Sequence, residues 1–409
     1  MINRGEVPEG YKKTKVGIIP EDWEVKRLGE ISNKITDGTH DTPKVVEKGV
    51  PYITAIHVKD GSIDFDNCYY VSEEEHKVIY ERCNPEKNDL LMVNIGSGTA
   101  TPALVNVDFE FSMKNVALIK PNNKVIDSIF LEQFQLYVKD KLFHQLTSGG
   151  AQPFLSLKEI GKLLILVPNK IEQQKIAQIL SAWDKAIELK EKLIEEKKKQ
   201  KKGLMQKLLT GEVRLPGFDG EWEEVRLGEI LKERNETGYE TLELLAITGS
   251  RGIVKRDEVD IKDTSSEDKS KYKRIMPLDI GYNTMRMWQG VSGVSKYEGI
   301  VSPAYTVLKP TSKIDSFFIG YLFKTPKVIN LFKRYSQGLV NDTLNLKYNN
   351  FKKIKLFIPK SIHEQKAIAQ ILSTADKEIE LLEKELEQLK LQKKGLMQLL
   401  LTGIIRVKS

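Results

Sequence analysis

One long stretch that occurs twice constrains the fold of this chain more than any other feature. The copies span residues 167–211 and 358–403. Both contain Ile-Ala-Gln-Ile-Leu-Ser, then Asp-Lys, then Lys-Lys-Gly-Leu-Met-Gln, and both end on Leu-Thr-Gly. Matching the pairs Gln174-Lys175 and Gln365-Lys366 places one inserted residue of the second copy near Ala367. A repeat of this length indicates a duplicated supersecondary unit.

The repeated stretch has the spacing of a coiled-coil helix. In the second copy apolar residues recur with 4-3 spacing over 368–400, with Lys393 the one polar seam residue. This period places an apolar seam against a partner helix. The first seam is poorer, because Lys190, Lys197 and Lys201 occupy it. The predicted interface consists of Ile176, Leu180, Trp183, Ile187, Ile194, Leu204, Leu208, Ile368, Leu372, Ala375, Ile379, Leu382, Leu386, Leu389, Leu396 and Leu400.

A second repeat extends the duplication beyond the helices. The sequence WEVKRLGEI begins at Trp23, and WEEVRLGEI begins at Trp222. Each half therefore consists of an opening motif, a variable body and a long helix. Two similar halves predict an antiparallel helix pair with a pseudo-two-fold relation. The two bodies are not obviously alike, but both contain short β-like runs separated by Gly, Asn, Asp and Ser, followed by helical patches.

These features predict an α/β (α+β) fold in which two globular mixed α/β domains are joined by two long helices that form an antiparallel coiled coil. A length of 409 residues is sufficient for two or three domains. We predict an N-terminal tether at 1–20, a first domain at 21–165, a central helix at 166–212, a second domain at 213–356 and a C-terminal helix at 357–409.

Composition narrows the class of protein and its location. The formal charge of +7 favours an anionic partner only weakly. Cys68 and Cys83 have neither CxxC spacing nor a nearby His pair, which indicates reduced thiols in a cytoplasmic protein. The N-terminus lacks the apolar segment of a secretion signal, and the longest apolar run, 163–167, is too short to cross a bilayer.

Motifs along nearly the whole chain match one known family. They are the Pro-x-x-x-Glu-Gln-like helix starts, the Lys-Lys-Gly-Leu-Met-Gln…Leu-Thr-Gly ends and the two opening motifs. Three segments of the first body add to them: Thr36-Asp-Gly-Thr-His40 with Thr42-Pro43, Tyr52-Ile-Thr, and Ser148-Gly-Gly-Ala-Gln-Pro153. With these motifs the chain resembles the DNA-specificity subunits of type I restriction-modification systems. The resemblance implies two target-recognition domains of unlike sequence and two helical spacers.

The resemblance also implies partners and the absence of catalysis. The partners are double-stranded DNA, two methylation subunits that bind S-adenosylmethionine and two ATP-dependent nuclease subunits; no membrane and no cofactor of the chain's own are implied. The sequence agrees by omission, since it has no Asn-Pro-Pro-Phe/Tyr or Asp-Pro-Pro-Tyr tetrad and no GxxxxGKS/T phosphate loop. The glycine-rich segment 94–99 lacks strand–GxGxxG–helix spacing, which favours a turn or a DNA-facing loop over a cofactor cradle.

The residues that could read DNA are polar groups in the loops of each body. Arginine on guanine, and asparagine or glutamine on adenine, are the commonest specific pairings. Asp37 could instead belong to a turn, His40 could cap or lie on the surface, and Trp288 could be core. The candidates are Thr36, Asp37, His40, Asn94, Ser97, Thr99, Lys114, Asn115 and Gln152 in the first body, and Ser250, Arg251, Asn283, Arg286, Trp288, Gln289, Arg334, Gln337 and Asn341 in the second.

The first long helix carries most of the excess positive charge. Residues 170–209 hold 11 Lys and 6 Asp or Glu, whereas 360–401 hold 7 of each kind. The lysine run at 197–202 could contact phosphates. We favour a solvated face or cross-pairing with the acidic segment 378–387, because the helices of the family act as spacers.

Two unlike bodies predict a bipartite, asymmetric DNA target with a gap of unspecified bases. Two other functions remain open from the sequence. A fused nuclease would need clustered acidic metal ligands, and no convincing PD-(D/E)xK arrangement is present. A coiled-coil scaffold that binds only protein would lack the salt-sensitive DNA binding expected of a DNA reader.

Overall fold

A computed structural model describes residues 7–147, 153–249, 251–259, 266–340 and 343–407. The chain forms two compact units. Unit 1 comprises residues 1–191 and 385–409, and unit 2 comprises residues 192–384. Each unit therefore contains one variable body and one part of each long helix.

The first half of the chain begins with short strands and ends in the first long helix, which runs from unit 1 into unit 2. Its elements are β1 (Tyr11–Thr14), β2 (Gly17–Pro20), β3 (Glu24–Arg27), β4 (Ser32–Asp37), β5 (Val50–Thr54), β6 (Val58–Lys59), β7 (Ser62–Ile63), β8 (Tyr69–Val71), α1 (Glu73–Cys83), β9 (Leu90–Val93), β10 (Pro102–Leu104), β11 (Ser112–Lys114), β12 (Val116–Pro121), α2 (Ser128–Thr147), α3 (Leu157–Lys162), β13 (Leu164–Val167) and α4 (Lys170–Leu208).

The centre of unit 1 is an antiparallel sheet with the strand order β10-β9-β12-β4. Strand β9 is buried along its whole length, as is typical of a strand covered on both faces. Side chains alternate across a strand, so Leu90 and Met92 join the core that includes α2, whereas Leu91 and Val93 join a second core on the opposite face. The unbroken run Leu-Leu-Met-Val thus serves two cores.

The second half of the chain has the same kind of body and ends in the second long helix, which runs from unit 2 into unit 1. Its elements are β14 (Trp222–Arg226), α5 (Leu227–Ile230), β15 (Leu231–Arg234), β16 (Leu245–Thr248), β17 (Gly252–Lys255), β18 (Lys273–Ile275), β19 (Ile280–Asn283), β20 (Ser292–Val294), β21 (Gly299–Val301), β22 (Tyr305–Pro310), α6 (Ser316–Leu322), α7 (Pro326–Tyr335), α8 (Tyr348–Phe351), β23 (Lys355–Pro359) and α9 (Ile362–Leu401).

The central sheet of unit 2 repeats that of unit 1. Its order, β20-β19-β22-β15, has the same chain connectivity as β10-β9-β12-β4. A buried aspartate precedes the inner strand in both: Asp89 accepts from Glu86 N and Lys120, and Asp279 accepts from Met276 N and Arg234. Two bodies without obvious sequence similarity therefore have separate sheets with the same strand order, because strand pairing depends on backbone register rather than on side-chain identity.

The long helices pair antiparallel within each unit. In unit 1 the N-terminal part of α4 packs against the C-terminal part of α9, with Ile176 and Leu180 in the same core as Leu400. In unit 2 the C-terminal end of α4 packs against the N-terminal part of α9, with Leu208 in the same core as Leu372. The predicted mixed fold with an antiparallel helix pair is confirmed.

The predicted seam residues differ in burial. Leu204 is 39% exposed, and neighbouring Met205 packs on the core instead. Ile176, Leu180, Ile194, Leu208, Ile368, Leu372, Ile379 and Leu400 are buried. Trp183, Ile187, Ala375, Leu382, Leu386, Leu389 and Leu396 are partly buried.

The lysines of the first helix form ion pairs across the helix pair. In unit 1 Lys190 contacts Glu385 at 2.8 Å. In unit 2 Lys197 contacts Glu378 at 2.5 Å, and Lys198 contacts Glu383 at 2.6 Å. Cross-pairing with the acidic segment of the other helix, which the charge balance favoured, is therefore present. Partly exposed pairs of this kind contribute about 0.2–1 kcal/mol each, so they specify register more than they stabilise.

The structure corrects the alignment of the two helix starts. Gln173 donates to Pro168 O at 2.8 Å, and Gln365 donates to Pro359 O at the same distance. The carbonyl oxygen of each glutamine also accepts from the N–H of the aspartate that precedes the body's helix, Asp127 or Asp315. Gln365 therefore corresponds to Gln173. The expected insertion near Ala367 was wrong: the extra residue lies in the loop before Glu364, because the buried Glu-Gln pair fixes the helix register.

Candidate nucleic-acid interface

Several predicted residues of the first body lie at one end of the central sheet. Asp37 and Val93 are the last residues of β4 and β9, and both pair with the beginning of β12, at Ala117 and Val116. Thr36, Asn94 and Asn115 adjoin these strand ends, so they lie at the same end of the sheet. Of these residues, Asn115 is exposed and Thr36 is partly buried, whereas Asp37 and Asn94 are buried.

Asp37 is buried at this end and makes contacts that the sequence did not indicate. Its side chain is 8% exposed, and Oδ1 accepts from Arg82 Nη2 at 2.6 Å. His40 is mostly exposed, and its Nε2 lies 3.3 Å from Asp37 Oδ2. Lys114, also nearby, donates to Thr42 Oγ1. Arg82 was not among the predicted residues, since it lies on α1 in a stretch without any motif.

The glycine-rich segment after β9 is a tight loop. Thr99 is buried, and its hydroxyl donates to Gly96 O at 2.7 Å. Ser97 is exposed, whereas Asn94 is buried and its Oδ1 has no partner among the described residues. The segment leads into β10 rather than into a helix. It therefore lacks the helix N-terminus that a cofactor cradle of this type uses for phosphate.

In the second body, the predicted residues cluster after β19. Asn283 ends the strand, and Arg286 and Gln289 are exposed in the loop that follows. Trp288 is partly buried; its Nε1 donates to Met285 O, and Lys333 Nζ lies 5.7 Å from the ring centroid. The indole therefore packs on its own loop and under a lysine of α7.

The other predicted residues of the second body lie on separate elements. Arg334 is exposed at the C-terminal end of α7. Gln337 is exposed and pairs by backbone with Asn345. Arg251 is exposed in the β16–β17 turn, where it donates to Glu258 O. Gln152, Ser250 and Asn341 lie outside the described residues.

A lysine beneath the β19 loop was missed by sequence reasoning. Lys324 Nζ donates to Gly290 O and to Ser292 O, both at 2.7 Å, and so holds the C-terminal end of the loop. Burial lowers the pKa of Lys324 to about 8. Lys324 also lines a groove of about 750 Å³ in unit 2. Nothing in the segment Phe-Lys-Thr-Pro distinguishes this lysine from a surface lysine in the sequence.

The described residues contain no group of three or more His, Cys, Asp or Glu side chains that could hold a metal ion. Throughout the part of the chain that the structure describes, no helix is long and apolar enough to cross a membrane. In each unit, polar and cationic side chains lie at one end of the central sheet.

Comparison with known proteins identifies the family. The model of the family "Type I restriction modification DNA specificity domain" matches residues 20–198 and 219–391, once in each half of the chain. The chain belongs to this type I DNA specificity family. The two matches cover both variable bodies and most of both long helices, as the repeats predicted.

Two relatives match nearly the whole length of the chain. It is 28% identical to the putative type I restriction enzyme MjaX specificity subunit of Methanocaldococcus jannaschii, over 98% of both chains. It is 27% identical to the MjaVIII specificity subunit of that organism, over 98% of this chain and 97% of the relative. The S subunit of M. genitalium has the same fold, with a TM-score of 0.59 at 18% identity, covering 97% of this chain and 99% of that one.

Proposed function

We propose that this protein is a non-catalytic subunit that reads a bipartite, asymmetric double-stranded DNA target in a type I restriction-modification complex. The proposal rests on one observation: the two bodies have central sheets of the same strand order but carry different polar residues in their loops. A common framework presents the loop residues in a similar way, and different residues at those positions read different bases. Each unit would read one component of the target.

The proposed partners follow from the family. They are duplex DNA, two methylation subunits that bind S-adenosylmethionine, and two ATP-dependent nuclease subunits; the chain itself would use no cofactor and act in the cytoplasm. The two bodies, at 21–165 and 213–356, would serve as target-recognition domains. The segments 166–212 and 357–409 would serve as spacers, with 1–20 as a tether. The DNA-reading residues named above are part of this proposal.

Selection from a pool of random duplexes tests sequence-specific recognition. We expect the purified chain to enrich one motif of two unlike components separated by unspecified bases. We also expect the affinity to fall steeply between 50 and 200 mM salt, because bound lysines and arginines release counterions from phosphates. Absence of any salt-sensitive DNA binding would instead support the protein-binding scaffold. Cleavage or methylation by the chain alone would establish the fused enzyme.

A longer helix pair should lengthen the gap in the target. Duplicating the heptads 185–191 in α4 and 378–384 in α9 preserves the 4-3 seam. Seven residues add about 10 Å of helix, or about 3 base pairs of duplex. We expect a gap about 3 base pairs longer with both components unchanged, measured by selection from random duplexes.

The control for this change is the same duplication in α4 alone. It mismatches the two seams, so we expect a loss of stability without a defined new gap. If the double duplication alters the components and leaves the gap unchanged, the helices do not set the spacing.

A further inference from the structure

Three side chains meet where β4 ends in unit 1. Arg82 Nη2 donates to Asp37 Oδ1 at 2.6 Å and lies 3.1 Å from His40 Nε2. The His40 side chain is 69% exposed, so this second contact can give way to a DNA base while the buried Asp37 keeps its own. The Asp37 carboxylate is 8% exposed, whereas the Arg82 side chain is 47% exposed. A buried carboxylate therefore holds one edge of a guanidinium that faces solvent.

The backbone around Asp37 is rigidly placed. A Cβ atom at Gly38 would lie 1.8 Å from Met113 O, so only glycine allows the loop to run this close to β11. Thr39 N donates to Met113 O at 3.1 Å, and Thr39 pairs with Lys114. The loop after β4 is thus fixed against β11. The orientation that Asp37 imposes on Arg82 is fixed by the same contacts.

We propose that Arg82 is a specificity-determining residue that contacts a guanine in the component read by unit 1, and that Asp37 is its positioning residue. The inference rests on the proposed function and adds to it a residue outside the predicted candidates. The guanidinium lies at the sheet end where Thr36, Asn94 and Asn115 also lie. Arginine presents paired N–H donors in a planar fork that matches guanine O6 and N7.

The anchored geometry favours a base contact over a phosphate contact. A phosphate accepts hydrogen bonds from many directions, so a flexible exposed lysine or arginine is sufficient to bind it. Reading a base edge requires a fixed plane, and a buried carboxylate in contact with one Nη fixes it. Lys87 provides the contrast. It lies just before β9, at the opposite end of that strand from Asn94, and it pairs with Asp108, with both side chains exposed.

Selection from random duplexes by the full-length chain tests the inference, with the component read by unit 2 as an internal control. We expect Arg82→Ala to relax a guanine preference at one position, by roughly 5- to 150-fold in relative affinity, and to leave the other component unchanged. Arg82→Lys should also relax that position, because it keeps the charge but lacks the fork. Asp37→Asn should weaken the same preference, and Lys87→Ala should change neither component.

Two results would overturn the assignment of Arg82. One is an unchanged motif in Arg82→Ala. The other is an equal loss of affinity for all duplexes, together with a decrease of about one in the slope of log affinity against log salt. That combination is expected for a phosphate contact. A wild-type chain that enriches no motif would refute the proposed function itself, and the inference with it. An unchanged second component shows that a variant remains folded and bound.

Discussion

Replacing Glu172 with alanine should lower the free energy of unfolding by about 3 kcal/mol, the upper end for losing hydrogen bonds to a charged group. Glu172 is 3% exposed in its side chain and joins three parts of unit 1. It accepts from the indole of Trp23 at 3.1 Å and from both Nε and Nη2 of Arg406 at 2.8 Å. The change leaves the indole N–H without its acceptor and the guanidinium without one of its two carboxylates, the other being Asp22.

Unit 2 contains the matching cluster and so tests the explanation. Glu364 accepts from Arg214 Nε at 2.7 Å and from the Trp222 indole at 3.4 Å. Glu364→Ala should therefore have an effect of similar size. Urea unfolding followed by tryptophan fluorescence measures both variants, because Trp23 and Trp222 lie in the two clusters.

Glu21→Ala is the surface control for this comparison. Glu21 is exposed in the same unit, and its replacement should change stability by less than about 0.5 kcal/mol. If Glu172→Ala is no more destabilising than Glu21→Ala, the buried carboxylate does not hold unit 1 together.

Replacing Glu132 with glutamine should stabilise the protein by up to about 3 kcal/mol at pH 8 and have little effect at pH 4. Burial raises the pKa of Glu132 from 4.5 to about 7. The folded protein therefore holds the proton more tightly than the unfolded chain. The resulting stability is fully present below about pH 4.5 and is lost as the pH rises through about 7. Glutamine stays neutral and keeps an acceptor for Leu104 N, which Glu132 Oε1 binds at 2.8 Å.

The measurement for Glu132 is urea unfolding at several values between pH 4.5 and pH 8. We expect the difference between the variant and the wild type to grow with pH across this window. A difference that is constant with pH would show that Glu132 does not bind a proton more tightly in the folded state.

The duplicated features could be predicted from the sequence because they depend on local pattern. A 4-3 spacing of apolar residues over 368–400 defines a helical seam whatever the partner is. The opening motifs that begin at Trp23 and Trp222 occur at the same place in each half. The structure shows the reason, since each indole donates to the glutamate at the start of a long helix. Family membership followed from such motifs.

The candidate sites at the ends of the two sheets could be predicted only in part. The position of polar residues at strand ends, such as Asn94 and Asn283, could be predicted because short apolar runs mark where strands stop. Arg82 and Lys324 were not predicted, since their contacts are with residues far away in the chain: Asp37 for the first, Gly290 and Ser292 for the second. No local pattern distinguishes such a residue from a solvated one.

By itself, the sequence determined the repeat, the helix pair and the mixed α/β class, because these depend on periodicity and on motifs that recur along the chain. Only the tertiary structure decided that the two bodies share one sheet order, that the extra residue precedes Glu364, and that the lysines of α4 pair with the acidic residues of α9. Each of these depends on contacts between residues distant in sequence. Such contacts form only when backbone pairing and burial bring the segments together.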